Sequence, residues 1–163
     1  MPSASREGIR RTFERALQRG LHFYWRFARG VTLGVRAVVI DGEGRVFLVK
    51  HSYVPGWHLP GGGVEAGETL LEALARELRE EGNIEVTGPP RLHGVFFNDR
   101  DSARDHVALF LVRNFRQTAA PVPDYEITAH GFFAVGALPA DTTAATRARI
   151  AEVIGGAPAS ERW

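Results

Sequence analysis

The sequence contains no cysteine in its 163 residues. Disulfides, thiolate metal sites and cysteine nucleophiles are therefore excluded within this chain. It also has no continuous apolar stretch near its start, because charged or polar residues interrupt the pattern every few positions through Arg29. We therefore expect neither a signal peptide nor a membrane span, and the composition fits a cytoplasmic protein.

An excess of charge of either sign is also missing, since 20 Lys and Arg stand against 19 Asp and Glu, for a net charge of +1. A broad electrostatic surface for nucleic acid is not indicated, and we expect no nucleic-acid partner. Apolar residues make up 44% of the chain, which is enough for one domain with a substantial core.

The N-terminal part, residues 1–30, is predicted to be a helical extension of a domain that spans residues 31–155, followed by a tail over residues 156–163. Between Ser5 and Ala28, apolar residues recur at helical spacing among several arginines, which indicates an amphipathic helix. Such a helix is expected to pack on the domain or against a second subunit in a homodimer, with a membrane-surface role as the weaker alternative.

The remaining pattern mixes strands and helices. We predict a β-hairpin over residues 32–50, a glycine-rich loop over 51–67 and a helix over 69–81. Two strands, over residues 86–97 and 106–115, follow around a polar loop. A short strand over residues 131–135 and a last helix over 147–154 complete the prediction. Residues 155–163 are predicted to be frayed. Strands with interspersed helices and no regular βαβ alternation favour a mixed α/β sandwich.

Three glutamates on the predicted helix form the informative cluster. Glu77, Glu80 and Glu81 share one helical face at spacings of three and four residues, so their charges repel and destabilise the helix. A bound divalent cation reverses this, because carboxylate oxygens suit Mg²⁺ or Mn²⁺. A solvated face paired with arginines is the alternative. The glycines at positions 61–63, which permit close backbone approach, favour a site.

The same segment resembles a known motif. Gly62, five residues, Glu68, seven residues and the run from Arg76 to Ile84 are similar to the Nudix box, with Asn83 in place of a glycine. That glycine ends the helix in a left-handed conformation, which Asn adopts next most readily. The resemblance covers about one seventh of the chain and implies an α/β fold, a Nudix-type α/β/α sandwich with a mixed β-sheet.

The resemblance also implies roles for single residues. Glu77, Glu80 and Glu81 would bind Mg²⁺, with Mn²⁺ as a substitute, and the Gly61 carbonyl would contribute a ligand. Arg76 would orient a catalytic glutamate, whereas Glu68 would tie the loop to the helix. The general base is left open between Glu77 and Glu126.

Substrate contacts follow from weaker signals. Trp57 and Phe97, like Tyr53 and Phe96, have rings that can stack on a base, although aromatic residues in strands are more often core. Arg100 and Arg104 lie in a polar loop and are candidates for phosphate contact, with plain solvation as the alternative. His51, His58 and His106 lack metal-ligand spacing and are interpreted as structural.

The implied activity is Mg²⁺-dependent hydrolysis of a phosphoanhydride bond in a nucleoside diphosphate linked to another group. A nucleoside triphosphate and a nucleotide sugar such as ADP-ribose both remain open as substrates, because no further subgroup signature is evident. The alternative from another class is a Nudix-fold sensor that binds nucleotide without cleaving it. The full acid set and the lack of an added DNA-binding domain favour the enzyme.

Overall fold

A computed structural model describes residues 30–100, 102–123 and 125–163, so the helix predicted over residues 5–28 lies outside the described residues. The described chain forms seven strands, two α-helices and a short 3₁₀-helix. In chain order they are β1 (Thr32–Val39), β2 (Arg45–His51), α1 (Leu70–Gly82), β3 (Ile84–Val86), β4 (Arg91–Phe97), β5 (Asp105–Val112), β6 (Phe115–Gln117), β7 (Ile127–Ala134), the 3₁₀-helix (Val135–Ala137) and α2 (Ala144–Gly155).

The predicted mixed sheet is present. Strand β5 pairs in parallel with β1 and antiparallel with β4, while β2 pairs with β7 and β3 with β6, both antiparallel. The predicted hairpin is wrong as a ladder, since no ladder joins β1 to β2 among the described residues, and Ile40, just after β1, forms a single bridge with Val46 of β2. The reason is that the other edge of β1 bonds to the glycine loop, whose Pro60 and Gly62 carbonyls accept from Ala37 and Val35.

Two cores lie on opposite faces of the strands, as the alternation of side chains requires. On β1, Val35, Ala37 and Val39 join the core beneath α1, whereas Val38 joins the second core together with Ile40, which directly follows the strand. Leu74 and Leu78 anchor α1 to the first core, and Ile150 anchors α2 to the second. The chain is therefore layered α/β/α, as the resemblance implied.

Helix α1 has explicit signals at both ends. Thr69 is its N-cap and forms a capping box with Glu72, in which each side chain accepts from the other residue's backbone N–H. Asn83 ends the helix at φ 50° and ψ 35°, and its N–H bonds to the Arg79 carbonyl. The prediction that Asn83 takes over the left-handed position of the usual glycine is confirmed.

Two sequence-based expectations about strands and ends are corrected. The strand expected over residues 86–97 is split by Gly88, Pro89 and Pro90, because proline has no N–H for a ladder. The segment expected to be frayed is docked, since Trp163 N–H donates to the Phe97 carbonyl at 3.0 Å and Phe97 N–H donates to that of Glu161 at 2.9 Å. Within the described residues, no helix is long and apolar enough to cross a membrane.

Candidate active site

One cleft of about 630 Å³ opens where the two helical layers meet the glycine loop. Its walls come from the start of β1, the loop over residues 58–63, the inner face of α1 and the first turn of α2. The loop reaches this position because its backbone pairs with β1. Gly61 adopts φ +134°, and a Cβ there would lie 2.1 Å from the Val35 carbonyl oxygen. Only glycine fits this close approach.

Arg76 connects the glycine loop to α1. Its Nε and Nη2 donate to Glu68 at 2.8 and 3.0 Å, its Nη2 also donates to the Gly63 carbonyl at 3.0 Å, and its Nη1 donates to Glu77 Oε1 at 2.7 Å. The hydrogen bond from Arg76 is the main reason that the pKa of Glu68 falls to about 2, aided by the Glu65 N–H. The prediction that Glu68 ties the loop to the helix is confirmed, and Arg76 holds the Glu77 carboxylate in place.

Glu81 is the buried acid of the cleft, with 6% of its surface exposed. Its Oε2 accepts the Gly61 N–H at 2.7 Å, and its Oε1 lies 3.5 Å from His51 Nε2. Burial lowers the pKa of His51 to about 4, so this imidazole is neutral at pH 7 and the contact is not an ion pair. Burial also raises the pKa of Glu81 to about 7, although Arg36 and the Gly61 N–H oppose the rise.

The predicted acid cluster is divided by the structure. Glu77 and Glu81 line the cleft, one helical turn apart, whereas Glu80 is outside its lining, with a side chain 60% exposed and 3.5 Å from Arg76 Nη1. In the described part of the chain, no three His, Asp or Glu side chains converge into a ready metal cage. The three-glutamate ligand set therefore stays a prediction.

Glu126, the second candidate for the general base, lines the same cleft. It precedes β7, and its carbonyl accepts the Ser52 N–H at 2.9 Å, which fixes the loop against the end of β2. Its Oε1 accepts from the Tyr53 hydroxyl at 3.3 Å, and its charge contributes to the raised pKa values of Tyr53 and Glu81. An exposed carboxylate thus faces the acids of α1.

Of the residues predicted to contact substrate, some line the cleft and others do not. Arg100 lines the cleft, but Trp57, Phe97 and Arg104 do not. The Trp57 ring packs edge-on against Phe133 at 4.9 Å in the second core, and the Phe97 ring lies 5.4 Å from that of His106. The structure thus gives Trp57 and Phe97 packing roles, while Arg104 is an exposed residue of the loop before β5.

Arg36 and Trp163 are among the cleft residues that sequence reasoning missed. Arg36 lies on β1 and donates to the Leu59 carbonyl at 2.9 Å, and a lone charge in an otherwise apolar strand was a signal for it. Trp163 lines the cleft from the segment expected to be frayed. No local pattern marks Trp163, because its position depends on pairing with β4.

The NUDIX domain family matches residues 30–153 of the chain. The chain therefore belongs to the Nudix family. Its fold is similar to that of a MutT NUDIX hydrolase from Burkholderia pseudomallei, with a TM-score of 0.64 and 28% identity over 75% of this chain and 97% of that one. A NUDIX hydrolase from Nitrosomonas europaea, at 20% identity, shares the fold with a TM-score of 0.64 over 77% of this chain and 90% of that one.

Curated relatives match over shorter stretches. An RNA pyrophosphohydrolase from Halorhodospira halophila is 48% identical over 52 residues, which are 32% of this chain and 29% of the relative. A putative 8-oxo-dGTP diphosphatase from Bacillus subtilis is 44% identical over 50 residues, or 31% of this chain and 34% of the relative. The matched segments thus span about a third of each of these relatives.

Proposed function

We propose that this protein hydrolyses a phosphoanhydride bond in a nucleotide-type substrate with the help of a divalent cation. The observation that carries the proposal is the placement of the Glu77 and Glu81 carboxylates in one cleft, directly behind a glycine loop. Arg36 and Arg100 line the same cleft and supply positive charge for phosphate oxygens. The site thus combines hard oxygen ligands with phosphate-binding cations.

The donor set fits Mg²⁺, with Mn²⁺ as a substitute, because carboxylate oxygens are the ligands that these ions prefer. Glu77 and Glu81 would hold the ion together with the Gly61 carbonyl. Glu80 has an exposed, unbranched side chain that is able to turn toward them. When bound, such an ion neutralises phosphate charge and lowers the pKa of a coordinated water.

The protein's own groups have separable tasks. Arg76 holds Glu77, and the Gly61 N–H holds Glu81, so both carboxylates are oriented before substrate arrives. We assign proton abstraction from the attacking water to Glu126, because its exposed carboxylate is accessible to water. Glu77, by contrast, has a side chain only 13% exposed and is paired with the cationic Arg76, whereas Glu126 accepts from the neutral Tyr53 hydroxyl.

The substrate panel combines the compounds after which the relatives are named with the nucleotides that the sequence left open. A panel would include nucleoside triphosphates, 8-oxo-dGTP, ADP-ribose and a 5′-triphosphorylated RNA oligonucleotide, each with Mg²⁺, with Mn²⁺ and with EDTA. The RNA arm also tests the expectation that nucleic acid is not a partner. Cytoplasmic location and a homodimer stay predictions.

The metal assignment is tested with Glu77→Gln, Glu80→Gln and Glu81→Gln beside Glu72→Gln. Glu72 lies on the same helix outside the cleft, and Gln also serves a capping box, so this variant is the matched control. We expect each of the first three to lower kcat by at least about tenfold and to weaken Mn²⁺ binding, measured by electron paramagnetic resonance. Full activity in Glu81→Gln would contradict the assignment.

The base is tested separately by Glu126→Gln. We expect a loss of about 10²- to 10⁴-fold in kcat, the usual range for a general base, with Mn²⁺ binding retained. A variant that keeps kcat returns the role to Glu77. Tight nucleotide binding by the wild type without turnover of any substrate would instead support the sensor alternative.

A further inference from the structure

The segment over residues 160–163 is an added edge of the fold. It runs parallel to the end of β4, with a bridge between Phe97 and Arg162. The guanidinium of Arg162 lies 5.3 Å from the centre of the Phe97 ring and pairs with Asp99. This edge brings Trp163 to the cleft.

A buried ion pair on α2 holds the segment from the other side. Arg149 and Glu152 are 3% and 7% exposed, and Arg149 Nη2 donates to Glu152 Oε1 at 2.5 Å. The same Oε1 accepts the Ser160 N–H at 3.0 Å, while Arg149 Nη1 donates to the Arg162 carbonyl at 2.7 Å. Losing either partner would leave an uncompensated buried charge, so the pair is kept together, and it holds the segment through the Ser160 N–H and the Arg162 carbonyl.

The Trp163 ring is fixed by its packing. It meets the Phe96 ring at 5.8 Å and 74°, and the Arg149 guanidinium lies 5.8 Å from its centre and 4.2 Å from that of Phe96. Trp163 therefore belongs to the second core, the one on the α2 side, and still forms part of the cleft wall. Glu77 and Glu81 reach the cleft from α1, on the opposite side of the strands.

The cleft has two chemically different ends. Carboxylates and the glycine loop define the end for metal and phosphate. From the α2 side the wall is formed by Thr143, Ala145 and Thr146, none of which is charged, together with Trp163, while Arg100 and Asp105 also line the cleft. A rigid indole that packs against the Arg149 guanidinium, with uncharged side chains of α2 beside it in the cleft wall, suits the flat, apolar face of a nucleobase.

We propose that Trp163 is a specificity-determining residue that stacks on the base of the substrate and favours purines, whose larger ring system covers more of the indole. The inference rests on the proposed function for the class of substrate, a nucleotide. The base is either that of a free nucleotide or that of the first nucleotide of a 5′-triphosphorylated RNA. These two share the same chemistry at Trp163.

The test compares wild type with Trp163→Ala, Trp163→Phe and Val153→Ala. Val153 packs against the same core but does not line the cleft, so its variant reports the effect of lost packing alone. For each protein, kcat and KM are measured with ATP, GTP, CTP, UTP, a 5′-triphosphorylated dinucleotide and inorganic tripolyphosphate. Binding of a methylene-bridged, non-hydrolysable GTP analogue is followed by tryptophan fluorescence, and folding by thermal denaturation.

We expect Trp163→Ala to raise KM for the purine substrates by about 5- to 150-fold, the range for stacking one base on an aromatic ring, with a smaller change for pyrimidines. Trp163→Phe and Val153→Ala should stay within about threefold of wild type, because the first keeps a stacking ring and the second leaves the cleft unchanged. Tripolyphosphate, which has no base, should be unaffected by every variant. The purine analogue should quench fluorescence in wild type but not in Trp163→Phe. A stronger effect with ATP and GTP than with the dinucleotide identifies the free nucleotide as the source.

Unchanged KM and unchanged purine preference in Trp163→Ala would overturn the inference, as would an equal loss in Trp163→Ala and Val153→Ala for every substrate including tripolyphosphate. Absence of binding by the purine analogue also overturns it. Turnover with no effect of Trp163→Ala leaves the proposed function standing alone. Quenching at Trp163 without turnover supports the stacking and contradicts hydrolysis, so the two failures are distinguishable.

Discussion

The three consecutive glycines before α1 provide a graded test of the site. A methyl group at each of them meets a different neighbour. At Gly61 it would lie 2.1 Å from the Val35 carbonyl oxygen in a backbone at φ +134°. At Gly62 it would lie 2.4 Å from Glu77 Oε1, and at Gly63 it would meet nothing within 4 Å. Alanine should therefore damage the fold at Gly61 and the site at Gly62, and at Gly63 it should damage neither.

The magnitudes follow from what has to move. In Gly61→Ala the clash is with backbone, so a strained φ of about 1–3 kcal/mol adds to overpacking of about 1–3 kcal/mol. A total of about 2–6 kcal/mol lowers Tm by roughly 4–24 °C in a chain of this size. In Gly62→Ala the obstacle is the end of a flexible side chain. The lost Arg76–Glu77 contact costs about 1 kcal/mol and is offset by about 0.4–1 kcal/mol from the stiffer unfolded chain.

Activity should not follow the order of the losses in stability. A displaced Glu77 carboxylate costs Gly62→Ala about 10²-fold in kcat, because misplacement of a catalytic group by 1 Å has an effect of this size. Gly63→Ala should keep both its Tm and its activity, which makes it the internal control. The assay is nucleotide turnover with Mg²⁺ beside thermal unfolding of all three variants. A fully active Gly62→Ala enzyme would refute the assigned contact between Glu77 and the glycine loop.

Two further predictions concern the ends of the same segment. The pKa of Glu68 is lowered to about 2 in the folded state, so the stability that its carboxylate contributes is fully present above pH 4.5 and is lost as the pH falls toward about 2. Glu68→Gln should therefore show a smaller drop in Tm between pH 5 and pH 3 than wild type. An equal drop in the two proteins would count against the Arg76–Glu68 pair. At the other end, Asn83→Ala should lower the free energy of unfolding by about 1–2 kcal/mol, because alanine tolerates a left-handed backbone poorly. Asn83→Gly should be close to neutral, and both variants are measured by chemical denaturation. Equal losses in the two variants would contradict the assignment of Asn83 as the helix cap.

Local signals predicted the centre of the site well. The end of α1 at Asn83 was predicted from that residue's own backbone preference, whereas the capping box of Thr69 and Glu72 at its start was not predicted, although its contacts span only three residues. Both effects act within a few residues, so they are legible in the sequence. The role of Glu68 in tying the loop to the helix was also predicted from the family motif, whereas its pairing with Arg76, which was expected to orient a catalytic glutamate, was not.

Predictions that required a partner distant in sequence did less well. The turn between β1 and β2 favoured a hairpin, yet β1 found its neighbours in β5 and in the glycine loop. Residues 155–163 carry no periodic pattern, and their docking depends on β4 and on the Arg149–Glu152 pair of α2. These contacts cannot be predicted from a local sequence pattern, because the partner strands lie far along the chain and the Arg149–Glu152 pair acts through its burial in the folded protein.

The sequence by itself determined the helix that carries the acids, its left-handed end at Asn83, the glycine loop and the family. It also determined that Glu77, Glu80 and Glu81 share a helical face. Only the tertiary structure decided that Glu81 is buried against Gly61 and His51 while Glu80 stays exposed. It alone placed Arg36, Glu126 and Trp163 around those acids. The physical reason is that helix formation and capping are short-range, whereas burial, pKa and cleft lining arise from contacts between segments that only folding brings together.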